Sequence, residues 1–200
     1  LSPFDRYTDA DMLALIADYP LAWVVPVAGP PTDAAMLPLV AQLQAGRLSA
    51  LIGHLSRRNP LVAALEADPR ALILVQGPQD YVSPELVSKP GWAPTWNYAQ
   101  LRIEAEVTFG APDIDKALDV LTDAMERDRA APWTSAKMGE RYGRMAPHII
   151  GFTARVTKVE GKFKLGQDED ATSYGEIVAG HPNAEMVRWM ERMNDGRARG

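Results

Sequence analysis

Three short stretches hold side chains whose types and spacing could do chemistry. The first is Gly53-His54-Leu55-Ser56-Arg57-Arg58-Asn59-Pro60, in which a hydroxyl and two guanidinium groups lead into a helix start. Asn is a favoured N-cap and Pro is pre-organised for the first helical position, so a helix is predicted from Pro60. Free N–H groups and the positive dipole end of a helix start attract negative charge, and arginine forks hold phosphate oxygens in pairs. Ser56 and His54 could add hydrogen bonds to the same anion. The competing reading is an ordinary cap beside two solvated arginines.

The second stretch is Gln76-Gly77-Pro78-Gln79-Asp80-Tyr81-Val82-Ser83-Pro84 with Lys89, Trp92 and Pro94-Thr95-Trp96-Asn97-Tyr98. Aromatic planes beside side-chain amides suit a flat heterocycle. The same aromatics would equally plug the end of a barrel or a subunit contact. The third, Lys162-Phe163-Lys164-Leu165-Gly166-Gln167, reads as a solvated strand face followed by a solvated acidic turn, Asp168-Glu169-Asp170. No catalytic residue is assigned: Ser56 has no acid partner for His54, and no Gly-x-Ser-x-Gly turn occurs. The chain has no cysteine, and its three histidines, His54, His148 and His181, are not at helical metal-ligand spacing, so no metal is expected.

Elements must position these groups. The segment from Asp9 to Asp18 carries Met12, Leu13, Leu15 and Ile16 on one side after a Thr8/Asp11 capping pattern, which predicts a helix. Ala22–Val25, Met36–Leu43 and Leu48–Gly53 read as strands joined by hairpin turns. Ala71-Leu72-Ile73-Leu74-Val75 is a continuous apolar run, predicting a central strand buried on both faces. The proline-rich stretch from Gln76 to Tyr98 is expected to be an ordered loop without regular elements. Leu101–Phe109 alternates along its length and is the clearest strand, while Asp113 caps an amphipathic helix running through Met125. The strand Ile149–Leu165 changes apolar phase, which predicts a bulge or bend near Thr157. Asn183 caps a last helix, Ala184–Met193, and the tail Asp195–Gly200 is expected to fray.

The 200 residues, 46% hydrophobic and 24% charged, suit one globular domain spanning 1–200, of α+β class around an antiparallel barrel. A net charge of -5 and a pI near 5.2 give no broad positive field, so direct DNA binding by this chain is disfavoured. The uncharged stretch from Tyr19 to Thr32 is short and broken by four prolines, too irregular for a spanning helix. No basic segment precedes a hydrophobic signal core, so a cytoplasmic protein without a membrane partner is the expectation.

Taken in order, these blocks resemble the PaiB-like family of FMN-binding negative transcriptional regulators, in the split-barrel superfamily related to pyridoxamine phosphate oxidase. The resemblance rests on Leu37-Pro38-Leu39, the Gly53–Pro60 block, Gln76-Gly77-Pro78, Tyr81-Val82-Ser83-Pro84 and Ser88-Lys89. It continues through Pro94–Tyr98, Pro132-Trp133, Ile150-Gly151-Phe152 and Glu160–Leu165. It implies a six-stranded antiparallel split barrel of Greek-key type with peripheral helices, which dimerises with FMN in a groove at the subunit interface. Ser56-Arg57-Arg58 and the Asn59 helix start would hold the flavin phosphate, with His54, Thr95, Trp96 and Asn97 along the ring or ribityl chain. The implied function is an FMN-binding regulator or sensor, or else a flavin-dependent oxidoreductase of the pyridoxamine phosphate oxidase-like or flavin reductase-like type. The chain departs from the family pattern at Met36, at Gln79-Asp80 and at Gly166.

Overall fold

The fold was analysed in a computed structural model, which describes residues 2–195. The expected fraying falls mostly on residues 196–200, which lie outside the described residues. Six antiparallel strands close a barrel in the order β1-β2-β3-β6-β5-β4. They are β1 (Leu21–Pro26), β2 (Ala35–Gln44), β3 (Arg47–Ser56), β4 (Arg70–Val82), β5 (Thr95–Phe109) and β6 (Ile149–Lys164). Helices α1 (Asp9–Asp18), α2 (Pro60–Ala67), α3 (Ile114–Glu126), α4 (Glu140–Met145), α5 (Ala171–Gly180) and α6 (Ala184–Met193) are peripheral. This is the expected split barrel with helices around it.

The chain divides into two compact units, one of Leu13–Val75 and Leu101–Glu160, the other of Leu1–Met12, Gln76–Gln100 and Gly161–Gly200. In the larger unit, alternation sorts the strands: Val24, Leu39, Leu51, Ile73, Ile103 and Phe152 point into a core where each is at most 1% exposed. There α3 lies against β2 and β3, burying Ala117 and Leu121, and Asp113 caps it by accepting from the Lys116 N–H. Gly53 lets two strands close up, because a Cβ there would stand 2.6 Å from Phe152 Cζ and 2.7 Å from Leu39 Cδ2.

The smaller unit is organised by aromatics. The Phe163 ring lies between Tyr7 at 5.1 Å and Trp189 at 6.3 Å. Gly161 leaves the space the Tyr7 ring fills, and its N–H donates to the Tyr7 hydroxyl at 2.8 Å.

Three expectations change. The run Ala71–Val75 is buried at Ala71, Ile73 and Val75, but Leu72 and Leu74 are only half-buried. The stretch from Gln76 to Tyr98 is not all loop: β4 continues to Val82 and β5 begins at Thr95. Both Gly77 and Pro78 are buried, so alternation slips there, and that break hides the strand from a period-2 reading. Asp170 is a cap rather than a solvated turn, accepting from Ser173 N to start α5, whose interior Gly175 and β-branched residues weaken any helix signal. Along β6 no residue from 155 to 162 is buried between Ala154 and Phe163, which is the phase change seen in the pattern.

Candidate functional site

The predicted anion loop lies in the larger unit. His54 stands half-buried between the buried Gly53 and Leu55 of β3 and pairs in register with Gly151 of β6. Directly paired residues project to the same face, and a Cβ on Gly151 would stand 2.9 Å from Ala117 Cβ, so His54 faces the side covered by α3. Its Nδ1 is buried with no hydrogen-bond partner, and burial pushes its pKa down, keeping the imidazole neutral near pH 7.

Ser56, Arg57 and Arg58 follow in the open. The Asn59 side chain accepts from Leu61 N at 2.9 Å, as the helix prediction requires. The amide cluster expected to face an anion is used internally, however. Arg57 N donates to His148 O, Arg58 N to Ser56 Oγ, Asn59 N to Ser56 O and Val62 N to Asn59 O. The cradle therefore consists of side chains.

Arg57 Nε donates to Pro147 O at 3.1 Å, laying that guanidinium along the surface. No carboxylate pairs with Arg57 or Arg58 among the described residues, whereas Arg70, Arg102, Arg155 and Arg192 all have acid partners. Two guanidinium groups without carboxylate partners, the Ser56 hydroxyl, whose oxygen accepts from Arg58 N and whose proton is left to donate, and a positive dipole end form a donor set that fits a phosphate.

The smaller unit holds Thr95, Trp96 and Asn97. An open cleft of about 250 Å³ is lined by Gln76, Gln79, Trp96, Tyr98, Ala99 and Gln100. Trp96, 57% exposed, meets the Tyr81 ring edge-on at 5.9 Å. Two of the stretches expected to suit a flat heterocycle thus do come together. Asn97 turns the other way: it is 2% exposed and its amide donates to Met190 Sδ at 3.4 Å.

Sequence reading missed Lys164, which it took for a solvated face. Its Nζ donates to Thr95 Oγ1 at 2.6 Å and to Trp96 O at 3.0 Å, fixing the start of β5. Neighbouring Lys162 has a carboxylate, Asp5, at 2.9 Å, but Lys164 has only these neutral acceptors among the described residues. The signal available was a lysine between two apolar strand residues just before a glycine turn. Of the departures from the family pattern, Gln79 lines the cleft and Met36 is 46% exposed on β2. Gly166 has φ +84°, a left-handed conformation that favours glycine.

A family model described as "Putative FMN-binding domain" matches residues 2–158. The chain is similar to "Protease synthase and sporulation protein PAI 2" of Bacillus subtilis, with 26% identity over 149 residues, 70% of this chain and 72% of that protein. Among solved structures it resembles an FAD- and heme-binding protein from Mycobacterium smegmatis. The TM-score is 0.59 at 20% identity, over 88% of this chain and 79% of that one. It also resembles the flavocytochrome Anf3 from Azotobacter vinelandii, with TM-score 0.51 and 16% identity over 85% and 74% of the two chains. At such identities the structural matches speak for the fold alone. With the model covering most of its length, the chain belongs to the "Putative FMN-binding domain" family and carries the antiparallel barrel of the flavin-binding split-barrel superfamily.

Proposed function

We propose that this chain binds FMN and works as a flavin-dependent oxidoreductase of the pyridoxamine phosphate oxidase-like or flavin reductase-like type. The single observation carrying the cofactor assignment is the pair of guanidinium groups, Arg57 and Arg58, left without carboxylate partners beside Ser56 and the Asn59-capped helix. In this reading Ser56, Arg57 and Arg58 hold the phosphate, the Ser56 hydroxyl donating and Arg58 closing from the open side. His54, Thr95 and Trp96 are assigned to the ring or ribityl chain by the resemblance; of these Trp96 offers an exposed stacking face, while the unpartnered His54 Nδ1 is buried on the side that α3 covers. Asn97 acts indirectly, by anchoring the start of β5 on α6. Bound flavin supplies one- and two-electron transfer, and the protein supplies binding, orientation and exclusion of water.

The reading includes a homodimer and, within the family, membership of the PaiB-like group, which the Bacillus subtilis relative supports. A regulatory role is kept as the second reading on the same similarity. The net charge of -5 argues against direct operator contact. Chromatography of whatever heat releases from purified protein tests FMN against FAD. Replacing both Arg57 and Arg58 by Ala should weaken FMN binding tenfold or more, since a charged hydrogen bond contributes about 1.5–3 kcal/mol. Unchanged affinity in a fluorescence titration would refute the phosphate assignment. Reduction of bound flavin by NAD(P)H favours the enzyme, and a gel shift at physiological salt favours the regulator.

A further inference from the structure

No residue from 127 to 148 is buried. This stretch joins α3 to β6, contains α4 and supplies no core residue, so polar contacts place it. On α3, Asp115, Asp119 and Glu126 fall on one stripe at helical spacing. Asp115 accepts from the Tyr142 hydroxyl, Asp119 from the Ser135 hydroxyl at 3.0 Å, and Glu126 from Trp133 N at 3.0 Å and Arg129 Nε at 3.1 Å. At its far end the stretch meets the anion loop, where Pro147 O accepts from Arg57 Nε at 3.1 Å and His148 O from Arg57 N at 3.0 Å.

These tethers leave a set of basic side chains over. Arg141 and Arg144 are exposed and three residues apart, so they share one side of α4, while Tyr142, which faces neither, turns toward α3. No carboxylate pairs with Arg141 or Arg144 among the described residues, and the acids at the start of α3 are already engaged, Asp113 with Lys116 N and Asp115 with Tyr142. Arg144 stands about one helical turn before Pro147, whose carbonyl Arg57 grips, and exposed His148 follows. Arg141, Arg144 and His148 thus continue the row that Arg57 and Arg58 begin, and the two bonds made by Arg57 fix one set against the other. In a chain of net charge -5 this is a local excess of basic groups.

We propose that Arg141, Arg144 and His148 seat the diphosphate of a nucleotide second substrate, beside the flavin phosphate assigned to Ser56, Arg57 and Arg58. With the flavin reading above as its basis, this seat gives a dinucleotide reductant a place to dock. Planar guanidinium forks match phosphate oxygens in pairs, and a histidine ring adds an N–H donor. The chemistry favours a compact anion over a long one. From Arg141 to His148 the row is only about 10 Å long, at about 1.5 Å per helical residue. Exposed Glu140 stands at its head and the acidic stripe of α3 lies behind Tyr142, so carboxylates bound the row. A nucleic acid backbone would run on past them, whereas a diphosphate ends within it.

The test titrates ADP and AMP into the full chain loaded with FMN, followed by calorimetry, with FMN affinity measured separately. Wild type is expected to bind ADP more tightly than AMP. Arg141→Ala combined with Arg144→Ala should weaken ADP binding at least about tenfold and leave FMN affinity as it was. Both positions are exposed and Ala is the better helix former, so the fold should survive, as judged by circular dichroism. Arg127→Ala removes another exposed arginine at the opposite end of α3 and should change nothing. A raised KM for NAD(P)H in the double variant identifies the dinucleotide as the ligand, while an unchanged KM with weakened ADP binding identifies a free nucleotide on the same seat. ADP that binds no better than AMP, or that binds the double variant as it binds wild type, overturns the seat and leaves the flavin reading standing. A chain that takes up no flavin refutes that reading instead, and ADP titrated into the flavin-free chain and its double variant then judges the seat by the same criteria. Should the double variant misfold, Arg144→Gln alone decides: weaker ADP binding supports the seat, and unchanged binding refutes it.

Discussion

Replacing Gly53 by Ala adds one methyl group at the most crowded glycine of the larger unit, four residues before Arg57. The new Cβ would stand 2.6 Å from Phe152 Cζ, 2.7 Å from Leu39 Cδ2 and 2.8 Å from Phe152 Cε1. Carbon atoms pack best about 3.5–4.0 Å apart, so the ring would have to retreat by about 1 Å. It has little room, since Phe152 is 1% exposed and meets the Phe109 ring edge-on at 6.2 Å. Overpacking of this kind costs about 1–3 kcal/mol. At about 2–4 °C per kcal/mol for a chain of this size, a cost near 2 kcal/mol lowers the melting temperature by roughly 4–8 °C. The matching control is Gly143→Ala in α4, where nothing lies within 4 Å of the added methyl. That change should be neutral or slightly stabilising, because Ala is the better helix former. Thermal melts of the two variants, followed by circular dichroism, decide the question. If Gly53→Ala melts with wild type, the close packing of β3 against Leu39 and Phe152 is not what fixes the strand beneath the anion loop.

Two further outcomes follow from local geometry. Asn59→Ala removes the acceptor for Leu61 N and should cost about 1 kcal/mol, seen as faster amide exchange in the first turn of α2; unchanged exchange there would refute the cap. The Tyr142 hydroxyl donates to Asp115, and that carboxylate pushes its pKa up from 10.0 to about 12. Since the folded value is raised, the interaction is fully present below about pH 10 and is lost as pH rises through 12. An ultraviolet titration of tyrosinate should show one of the six tyrosines ionising late in wild type and near 10 in Asp115→Asn.

Most of the barrel was legible because strand alternation and helix caps are local. Leu101–Phe109, the Asp113 and Asn183 caps and the Asn59-Pro60 helix start each stand where composition puts them. What failed to show has physical reasons. At Gly77-Pro78 both residues are buried, so β4 loses its period just where two breaker residues suggest a loop. The α5 helix depends on its Asp170 cap and on burial of Ser173 and Ile177, not on propensity. At the site, residue types indicated the donors but not their prior use: Arg57 N is bonded to His148 O and the N–H groups of Arg58, Asn59, Leu61 and Val62 bond within the loop, which leaves side chains to meet an anion. Lys164 escaped notice because its partners, the Thr95 hydroxyl and Trp96 carbonyl, are 69 and 68 positions away.

One disagreement of another kind is informative because it is confined to one place. Along β5, the outward positions Arg102, Glu104, Glu106 and Thr108 are polar and exposed, so pattern and burial agree. In the first half of β4 the continuous apolar run Ala71–Val75 asks for burial on both faces, yet Leu72 and Leu74 are only half-buried. Beside Leu72 the exposed ladder of Arg102, Glu104, Lys158 and Glu160 completes that polar outer face, and surface ion pairs of this kind add little stability by themselves.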